Sequence, residues 1–522
     1  MRAVTLDVWD YKQTFAREDA LRPLDRDMND DERQVRTQGR KECHRRSAER
    51  LLEALRKNSG IYVKLGQHIA AVQVLPKEWT NTMTPLQDQC FPTPLEEVDA
   101  MLLADLGCGL DDLFTDFEAR PIGVASLAQV HRAVDRRTGR TVAVKVQHAD
   151  LREFSRVDMA TVNFAIHMVK YVFPDFEFGW LGEEMNEMLP LEMDFRHEAS
   201  NSARCRDDFL HLRGKTSLYL PEIFWAERRC MVMEYIDGAR IDDLKYLKDH
   251  HIDRNQVSRE LSRIFSQMVY LNGYFHADPH HGNLLIRPKS IKSFSPYDFD
   301  ICLLDHGQYF DIPDDLRVNY AHFWLSLIKR SSPATSNERR YYARLVGNID
   351  DDMYPILESA ITGRLNVSDA SNEPDPGITS RPTSLLDARK MDEAQRGKLR
   401  LAMAEREGLI MSIFELLRTV PRRLLMILKL SDLQRSLDES LSTTHGGSRV
   451  FVIIAQYCAE AVRNSSFSLL DQNKWHFDSH FDSHGRLSSV LLILEHGIGS
   501  HGVGHGSSGE GCDDWFMDAR PE

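Results

Sequence analysis

Residues 276–283 read His-Ala-Asp-Pro-His-His-Gly-Asn, and this stretch decides the fold. Asp278 lies five positions before Asn283, so one loop carries both a carboxylate and a side-chain amide. Such a carboxylate can orient or deprotonate an attacking hydroxyl, and such an amide oxygen can ligate a metal ion that bridges phosphates. The loop lies between an apolar helical segment that ends near Tyr270 and the strand-like run 284–286. The stretch therefore predicts a site for phosphoryl transfer.

Two strand-like runs supply further groups for such a site. The first, residues 142–145, reads Val-Ala-Val-Lys, and alternation along a strand places Lys145 on the face opposite to both valines, where it can reach nucleotide phosphates. The second, residues 301–307, reads Ile-Cys-Leu-Leu-Asp-His-Gly and delivers Asp305 to a glycine turn. Mg²⁺ prefers one or two carboxylates together with phosphate oxygens, so Asp305 is the expected main metal ligand.

A predicted helix over residues 191–198 provides the last group. Its sequence, Leu-Glu-Met-Asp-Phe-Arg-His-Glu, places Glu198 where a helix carboxylate can pair with Lys145 and hold it on the phosphates. Taken singly, a strand lysine is commonly a surface residue, and an acidic helix face is commonly just solvated. All four motifs, however, occur in the order and spacing of protein kinases, which predicts a kinase-like nucleotide site.

Other parts of a kinase nucleotide site are altered or missing. Residues 121–131 stand where a glycine-rich phosphate loop is expected, and their small side chains still let backbone N–H groups approach phosphate. Residues 233–238, Met-Glu-Tyr-Ile-Asp-Gly, fit the hinge between lobes, where backbone groups would contact adenine, with a plain strand end as the alternative. No Ala-Pro-Glu motif follows Asp305, so an ordinary protein substrate is not expected.

The composition narrows the classes of function. The chain has 522 residues, with 65 Lys and Arg against 79 Asp and Glu and a formal net charge of −14. This acidity argues against a nucleic-acid binder, which normally carries a basic surface. The 8 cysteines form no Cys-x-x-Cys pair and are expected as reduced thiols. No run reaches the ~18 apolar residues that a membrane-spanning helix needs.

Changes in the pattern of apolar residues divide the chain into four parts. Residues 1–120 are expected as a helical extension, and residues 121–238 as a small lobe rich in strands. Residues 239–445 are expected as a larger helical lobe with a polar insertion near 366–398, and residues 446–522 as one helix followed by a low-complexity tail. Four strands are expected in the small lobe, over residues 129–134, 141–147, 218–224 and 229–235.

Further motifs extend the resemblance beyond protein kinases in general. Lys64-Leu-Gly-Gln67 forms a KxGQ motif, and Glu192-Met-Asp194 forms an ExD motif. Together with the loop 276–283, they resemble the UbiB/AarF-domain atypical kinase family over about residues 30–460. The variants Ala125-Ser-Leu-Ala-Gln-Val-His131 and Leu304-Asp-His-Gly307 are most similar to its AarF-domain-containing kinase one branch of mitochondrial proteins.

The resemblance implies a fold and an activity. The expected fold class is α+β, a protein-kinase-like two-lobe fold with an N-terminal helical KxGQ extension laid across the active site. The expected cofactors are Mg²⁺ and ATP or ADP, and the expected activity is that of an ATPase or a small-molecule kinase. Roles in coenzyme Q and mitochondrial lipid homeostasis are also implied.

The motifs and the resemblance assign roles to individual residues. The expected catalytic residues are Asp278, Lys145 and Glu198, and the expected metal ligands are Asn283 and Asp305. The expected nucleotide-binding residues are Gly123, Ala125, Ser126, Gln129, Lys145, Glu234 and Tyr235. The expected regulatory or occluding residues are Lys64, Gln67, Glu192 and Asp194.

The role of Lys64 depends on the resemblance. On its own, Lys64 would be just a helix-surface lysine. The family implies that it faces Glu192 and Asp194 over the nucleotide pocket, where the extension would occlude the groove for a peptide substrate.

Three departures from the family pattern affect the site. Gly123-Val124 stands where the family usually has two alanines, which leaves the preference between ATP and ADP open. His281 replaces a usual proline, so the catalytic loop is less rigid. His306 replaces a phenylalanine in the turn after Asp305, so the packing that sets active and inactive positions is expected to differ.

The favoured interpretation is an atypical kinase or ATPase that acts in mitochondrial lipid or coenzyme Q homeostasis. The expected partner is a small-molecule, lipid or quinone acceptor, with a mitochondrial membrane surface nearby, whereas neither nucleic acid nor a peptide substrate is expected. The alternative is a nucleotide-gated quinone- or lipid-binding pseudokinase module with little phosphotransfer, and a conventional Ser/Thr kinase ranks third. Mitochondrial location is implied by the resemblance alone, since the sequence shows no targeting segment or transmembrane helix.

Two segments lie outside this scheme. Residues 421–429, Pro-Arg-Arg-Leu-Leu-Met-Ile-Leu-Lys, form a basic amphipathic run that could touch anionic lipid or a quinone headgroup, but core packing of a large-lobe helix is favoured. The tail repeats Phe477-Asp-Ser-His480 as Phe481-Asp-Ser-His484, and a solvated low-complexity tail is favoured there over a metal site.

Overall fold

Strand β4 (Thr141–Gln147) lies at the centre of the small lobe in a computed structural model of the chain. Its valines pack on the side of helix α5 (Leu95–Leu106), whereas Ala143 packs on the side of helix α9 (Phe195–Asp208). Both faces of the strand are therefore covered, which explains its apolar character on both sides. The structure describes residues 2–21, 30–58, 60–71, 76–87, 92–149, 151–172, 179–330, 332–362, 416, 419–444 and 448–472.

The small lobe is an antiparallel sheet around β4. Its other strands are β1 (Phe114–Phe117), β2 (Gly123–Val124), β3 (Ala128–Asp135), β6 (Ile223–Ala226) and β7 (Cys230–Glu234). The strand order is β1-β3-β4-β7-β6, and β2 pairs with β3. In this register Lys145 lies between Val130 of β3 and Met231 of β7, which places it in the middle of the sheet.

The large lobe contributes short strands that carry the catalytic segments. They are β5 (Leu218–Tyr219), β8 (Ala239–Arg240), β9 (Tyr274–His276), β10 (Leu284–Pro288), β11 (Phe299–Leu303) and β12 (Tyr309–Asp311). One sheet has the order β5-β11-β10-β8, and β9 pairs with β12 in another. The loop 276–283 therefore lies between two sheets, beside the turn that follows β11.

Helices form the extension and most of the large lobe. Before the small lobe they are α1 (Arg2–Leu21), α2 (Asp30–Asn58), α3 (Gly60–Ala71), α4 (Lys77–Met83), the 3₁₀ turn Thr84–Gln87, α5 and α6 (Leu110–Leu113). Between β4 and α9 lie α7 (Leu151–Val172) and α8 (Gly179–Glu192). The large lobe has α10 (Leu244–Asp249), α11 (Arg254–Ser266), the π turn Gln267–Asn272, α12 (Asp314–Ile328), α13 (Pro333–Gly347), α14 (Tyr354–Thr362), α15 (Arg422–Ser440) and α16 (Ser448–Gln472). Further 3₁₀ turns are Leu210–Leu212, His281–Asn283 and Asp351–Met353.

The two-lobe α+β, kinase-like fold class is confirmed, and most expected strands are present. The expected strand over 218–224 is wrong: Pro221 cannot donate to a ladder, so the run splits into β5 and β6, which belong to different sheets. The helical region before residue 120 also contains β1. The limits assigned to the four parts stay predictions, and the polar insertion near 366–398 and the tail beyond 472 lie outside the described residues.

The expected helix over 191–198 is also wrong. Helix α8 ends at Glu192, and α9 begins at Phe195. The side chain of Asp194 caps α9 by accepting a hydrogen bond from the N–H of Arg196, as aspartate does at helix N-termini. The ExD motif therefore spans a break between two helices.

The helices and the cysteines of the described residues can be compared with the requirements of a membrane-spanning helix and with the expected state of the thiols. Within the described residues, none of the helices has the length and apolar character needed to cross a membrane. Six of the cysteines are described, and each is a free thiol: Cys43, Cys108, Cys205, Cys230, Cys302 and Cys458.

Candidate active site

A buried lysine and two carboxylates meet where the lobes face each other. The Nζ atom of Lys145 lies 2.7 and 2.9 Å from the carboxylate oxygens of Glu198 and 3.2 Å from Oδ2 of Asp305. β4 carries the lysine, the first turn of α9 carries Glu198, and Asp305 follows β11. The fold thus brings together three of the sequence-predicted residues from three distant segments.

Two carboxylates share one ammonium group in this cluster. Burial alone would lower the pKa of Lys145, but the charges of Asp305 and Glu198 outweigh it and raise that pKa. Burial would raise the pKa of Asp305, yet Lys145 and the N–H of Gly307 hold it well below its usual range. Burial raises the pKa of Glu198 to about 7, with Lys145 opposing and Asp305 adding to the effect. The negative charge facing Lys145 therefore resides first on Asp305, as expected when like charges compete for one partner.

The ring of His276 joins the catalytic loop to the turn after β11. Its Nδ1 accepts a hydrogen bond from the N–H of Asp278 at 2.9 Å, and its Nε2 donates to the carbonyl of Asp305 at 2.9 Å. Burial lowers the pKa of His276, so the ring is neutral at pH 7 and carries its proton on Nε2. The sequence alone assigns no role to His276, although this residue is the first of the stretch 276–283.

Asn283 and Asp305 form a donor set that fits Mg²⁺. The Nδ2 atom of Asn283 donates to the carbonyl of Asp278 at 3.2 Å, so Oδ1 is the atom left to ligate a cation. Oδ1 of Asp305 accepts from the N–H of Gly307, and Oδ2 pairs with Lys145. An amide oxygen and a carboxylate suit Mg²⁺, which proteins hold with few side chains plus phosphate oxygens. Among the residues described, no cluster of three His, Cys, Asp or Glu side chains could hold a metal ion.

Asp278 has a cationic partner that the sequence does not indicate. The Nζ atom of Lys429, on α15, lies 3.1 Å from Oδ1 of Asp278. Burial opposes the effect, but Lys429, His280 and Lys64 hold the pKa of Asp278 well below its usual range. The run 421–429 does pack one face into the core, as expected, but its last residue contacts the catalytic loop. No local pattern signals that contact, because it joins segments far apart in the chain.

The extension reaches the site through Lys64. Its Nζ atom lies 2.8 Å from Oε2 of Glu192, and the side chain of Gln308 donates to the other oxygen of Glu192. Burial would lower the pKa of Lys64, but Glu192, Asp278 and Asp305 outweigh it and raise that pKa. The expectation that Lys64 also faces Asp194 stays a prediction.

Asp194 has other partners. Its carboxylate pairs with the Arg196 guanidinium at 2.8 Å and caps α9, so it is already engaged at the helix terminus. Its assignment as a regulatory or occluding residue stays a prediction.

Gln67 connects the extension to the expected phosphate loop. Its Nε2 donates to the carbonyl of Leu86 at 3.0 Å, and its Oε1 accepts from the hydroxyl of Ser126 at 3.3 Å. The N–H of Ala125 donates to the carbonyl of Ala128 at 2.7 Å, which closes the loop as a tight turn. Gly123 precedes this turn in β2 and is exposed.

The remaining predicted nucleotide residues use their side chains within the protein. The buried amide of Gln129 accepts from the N–H of Thr93 at 2.7 Å and donates to the Thr93 carbonyl at 3.1 Å. At the hinge, the hydroxyl of Tyr219 donates to the Glu234 carboxylate at 2.8 Å. The ring of Tyr235 lies 5.5 Å from the Arg132 guanidinium. The nucleotide-binding roles of Gln129, Glu234 and Tyr235 stay predictions.

His306 fixes the turn after Asp305. The ring is buried, and burial lowers its pKa to about 3, so it is neutral at pH 7. Its Nδ1 lies 3.0 Å from the hydroxyl of Tyr309, and its backbone N–H donates to Oε1 of Glu198 at 3.3 Å. The carbonyl of His306 accepts from the amide of Asn201 at 2.9 Å. Polar contacts thus hold this turn where the family usually has a phenylalanine.

Comparisons with known proteins show to which sequences and structures this chain is similar. Residues 85–337 match the family model described as the ABC1 atypical kinase-like domain. The chain is 42% identical over 433 residues to the ABC1 family protein MCP2 homolog of Schizosaccharomyces pombe. The alignment covers 82% of this chain and 74% of that protein. It is 36% identical over 437 residues to AarF domain-containing protein kinase 1 of Gallus gallus, covering 82% and 78%. A solved structure, the complex of Rv3197 with erythromycin from Mycobacterium tuberculosis, is similar at 18% identity and a TM-score of 0.43, covering 74% of this chain and 87% of that chain.

Proposed function

Because this chain belongs to the ABC1, or AarF-domain, family of atypical kinase-like proteins, we propose that it binds Mg²⁺ with ATP or ADP and transfers the terminal phosphoryl group of ATP to water or to a small acceptor. One observation carries the proposal: Lys145 contacts both Glu198 and Asp305, and His276 bonds the Asp305 turn to Asp278. A positioned cation, a metal-ligating carboxylate and a second carboxylate are the parts that phosphoryl transfer requires.

Lys145 would hold the phosphates. Its side chain is largely buried and is oriented by Glu198. It therefore loses little conformational freedom when a phosphate oxygen replaces Asp305 as its partner. Glu198 remains bound to the lysine throughout, which keeps the ammonium group aimed into the cleft.

Asn283 and Asp305 would hold the metal ion. A bound Mg²⁺ would offset the negative charge of the phosphates during transfer. The hydrogen bonds from Gly307 and from His276 fix the Asp305 carboxylate and its backbone, so this ligand is already oriented.

Asp278 would orient the attacking oxygen rather than remove its proton in advance. Its pKa lies well below the usual range because of Lys429, His280 and Lys64, against the effect of burial. A carboxylate of such low basicity is ionised at pH 7 but is a weak proton acceptor. Its contribution is therefore to align a hydroxyl group by hydrogen bonding.

We propose a small lipid-like or quinone-like acceptor, or water, rather than a peptide. The extension lies beside the catalytic loop, and Lys64 joins it to Glu192 near Asp278. This contact leaves less room for an extended peptide than for a small molecule. The family resemblance supports a role in mitochondrial lipid or coenzyme Q homeostasis at a membrane surface.

A nucleotide-gated quinone- or lipid-binding module with little turnover is the second candidate. The contact of Lys64 with Glu192 favours it, because this ion pair holds the extension beside the catalytic loop. In this candidate nucleotide binding would change the position of the extension without phosphoryl transfer.

Thermal unfolding with and without Mg²⁺, ATP and ADP tests the proposed site. A ligand that binds only the folded state adds about 2.7 kcal/mol at a hundredfold excess over Kd, so a clear rise in Tm is expected. Lys145→Met and Asp305→Asn should abolish the Mg²⁺-dependent rise, whereas Lys57→Met, an exposed control, should keep it.

Phosphate release decides between the two candidates. Turnover of Mg²⁺-ATP that increases with quinone analogues or anionic vesicles supports the enzyme, whereas binding without turnover supports the binding module. If neither nucleotide raises the Tm of the wild-type protein, both candidates fail.

A further inference from the structure

We propose that Lys429 is a positioning residue of this site: it holds the Asp278 carboxylate in place, so that helix α15 is part of the reaction centre. The inference rests on the proposed function, because it concerns the phosphoryl-transfer step.

Lys429 and Asp278 form a close, partly exposed ion pair. The ammonium group of Lys429 lies 3.1 Å from Oδ1 of Asp278, and the two side chains are 22% and 29% exposed. Both side chains keep some exposure, so the Asp278 carboxylate can still accept a hydrogen bond from an attacking hydroxyl while Lys429 is in place. A carboxylate held on one side by a fixed cation has fewer orientations to lose when the acceptor binds.

Helix α15 is anchored firmly enough to serve as such a support. Leu424, Ile427 and Leu430 are buried in the core of the large lobe. At the same end of the helix, Arg422 pairs at 2.8 Å with Glu187 of α8, and the Arg423 guanidinium lies 4.6 Å from the Phe310 ring centroid.

The partners of these two arginines lie next to the reaction centre. Helix α8 ends at Glu192, and β12, which contains Phe310, follows the turn that carries Asp305. Three successive cations of α15 therefore contact three segments around the site.

Lys429 differs from the other cation on this side of the site. The direct partner of Lys64 is Glu192, and Lys64 acts on Asp278 only through its charge at a distance. His280, on the catalytic loop itself, also faces Asp278. If the extension moves away, Lys64 moves with it, but Lys429 stays because α15 is packed into the large lobe.

The cation also serves the transfer step electrostatically. A phosphoryl group that approaches the Asp278 carboxylate meets a like charge, and an ammonium group beside that carboxylate offsets the repulsion. Between partly buried side chains such an offset is worth more than it is between fully solvated ones.

Steady-state ATP hydrolysis by the full chain tests the proposal. Lys429→Met should lower kcat roughly 10- to 100-fold, because the Asp278 carboxylate is no longer held in position. Binding of Mg²⁺-ATP should be unchanged. Lys429→Arg keeps the charge and should recover most of the loss. Lys329→Met, which removes an ion pair of similar exposure elsewhere in the large lobe, is the matched control and should keep the wild-type kcat. A similar fold loss is expected in a Lys64→Met background, because the direct partner of Lys64 is Glu192 and not Asp278.

Several results would overturn the proposal. An unchanged or higher kcat for Lys429→Met would do so, and so would an equal loss for Lys329→Met, which would indicate a general effect of breaking an ion pair in the large lobe. Retained Mg²⁺-ATP binding shows that a variant is folded, and Lys429→Gln replaces Lys429→Met if the latter does not fold. Wild-type protein that binds Mg²⁺-ATP without any turnover would overturn the proposed function and this role with it, whereas an active wild type with an active Lys429→Met overturns this role alone.

Discussion

The carboxyl group of Glu198 should give the nucleotide-free protein a distinct pH dependence. Burial and Asp305 outweigh Lys145 and raise its pKa from 4.5 to about 7. A group whose pKa is raised by folding binds its proton longer in the folded state, so the free energy of unfolding falls as the pH rises from about 4.5 to about 7. At ~1.4 kcal/mol per pKa unit, the free energy of unfolding of the wild-type protein should fall by a few kcal/mol over that interval. Glu198→Gln should not show this contribution, because its side chain does not titrate.

Urea unfolding midpoints of the wild-type protein and of Glu198→Gln, measured without nucleotide at several pH values, check this expectation. As the pH rises, the urea midpoint of Glu198→Gln should increase relative to that of the wild-type protein. Glu53→Gln, which alters an exposed carboxylate paired with Lys57, controls for a change of charge alone. Parallel pH profiles for Glu198→Gln and the wild type would contradict the expectation.

At the scale of single residues, sequence reasoning succeeds where one residue type has a fixed role in a local motif. Lys145 and Asp278 stand in such motifs, and the fold gives both of them charged partners. Asp194 could have been recognised as a helix N-cap, because aspartate before a helix accepts from the backbone N–H groups ahead of it. Lys429 could not have been found, since its partner is fixed only by how α15 packs on the large lobe.

At the scale of elements, alternation and apolar spacing predict the strands and helices that bury a continuous face. β3 and β4 follow the expected ranges because both faces of the sheet are covered. The pattern fails where a single apolar run contributes strands to two different sheets. Around Pro221 the chain leaves β5 and enters β6 in another sheet, and hydropathy alone gives no sign of the change.

Helix α3 should depend on the glycine of its KxGQ motif. A Cβ atom on Gly66 would overlap Cδ1 of Leu86 and would lie 2.9 Å from Cδ1 of Leu55, and real Cβ atoms do not approach other atoms so closely. Gly66→Ala should therefore push α3 away from its neighbours and cost ~1–3 kcal/mol of stability, as overpacked cores do. The displacement should also weaken the ion pair between Lys64 and Glu192.

A compensating substitution makes this expectation specific to packing. Leu86→Ala alone should destabilise the protein by ~2–5 kcal/mol because it leaves a cavity. The double variant Gly66→Ala/Leu86→Ala should lose clearly less than the sum of the two single losses, since the added methyl group enters the vacated space. Additive losses in thermal unfolding would show that the close contact does not limit α3.

At the scale of the whole molecule, each structural part contributes one lysine to a single acidic site. Lys64 comes from the extension, Lys145 from the small lobe and Lys429 from the large lobe. The overall two-lobe plan could be predicted from the order of the motifs. The convergence of the three lysines could not, because it depends on how the parts dock rather than on any run of residues. Because the three lysines converge, movement of one part would change the electrostatic environment of the groups that the other parts contribute.

Release of the extension should therefore raise turnover. Lys64→Met removes the direct contact between α3 and Glu192, in which both side chains are largely buried. If that contact favours the occluded arrangement by ~1–2 kcal/mol, its loss should increase ATP hydrolysis roughly 5- to 30-fold, because more molecules admit water or a small acceptor. Phosphate release measures the effect, and Lys57→Met, an exposed lysine on α2, is the control. Faster hydrogen exchange in the loop 276–283 should accompany the gain, and a lower rate with unchanged Mg²⁺-ATP binding would show that Lys64 assists the reaction instead of limiting access to it.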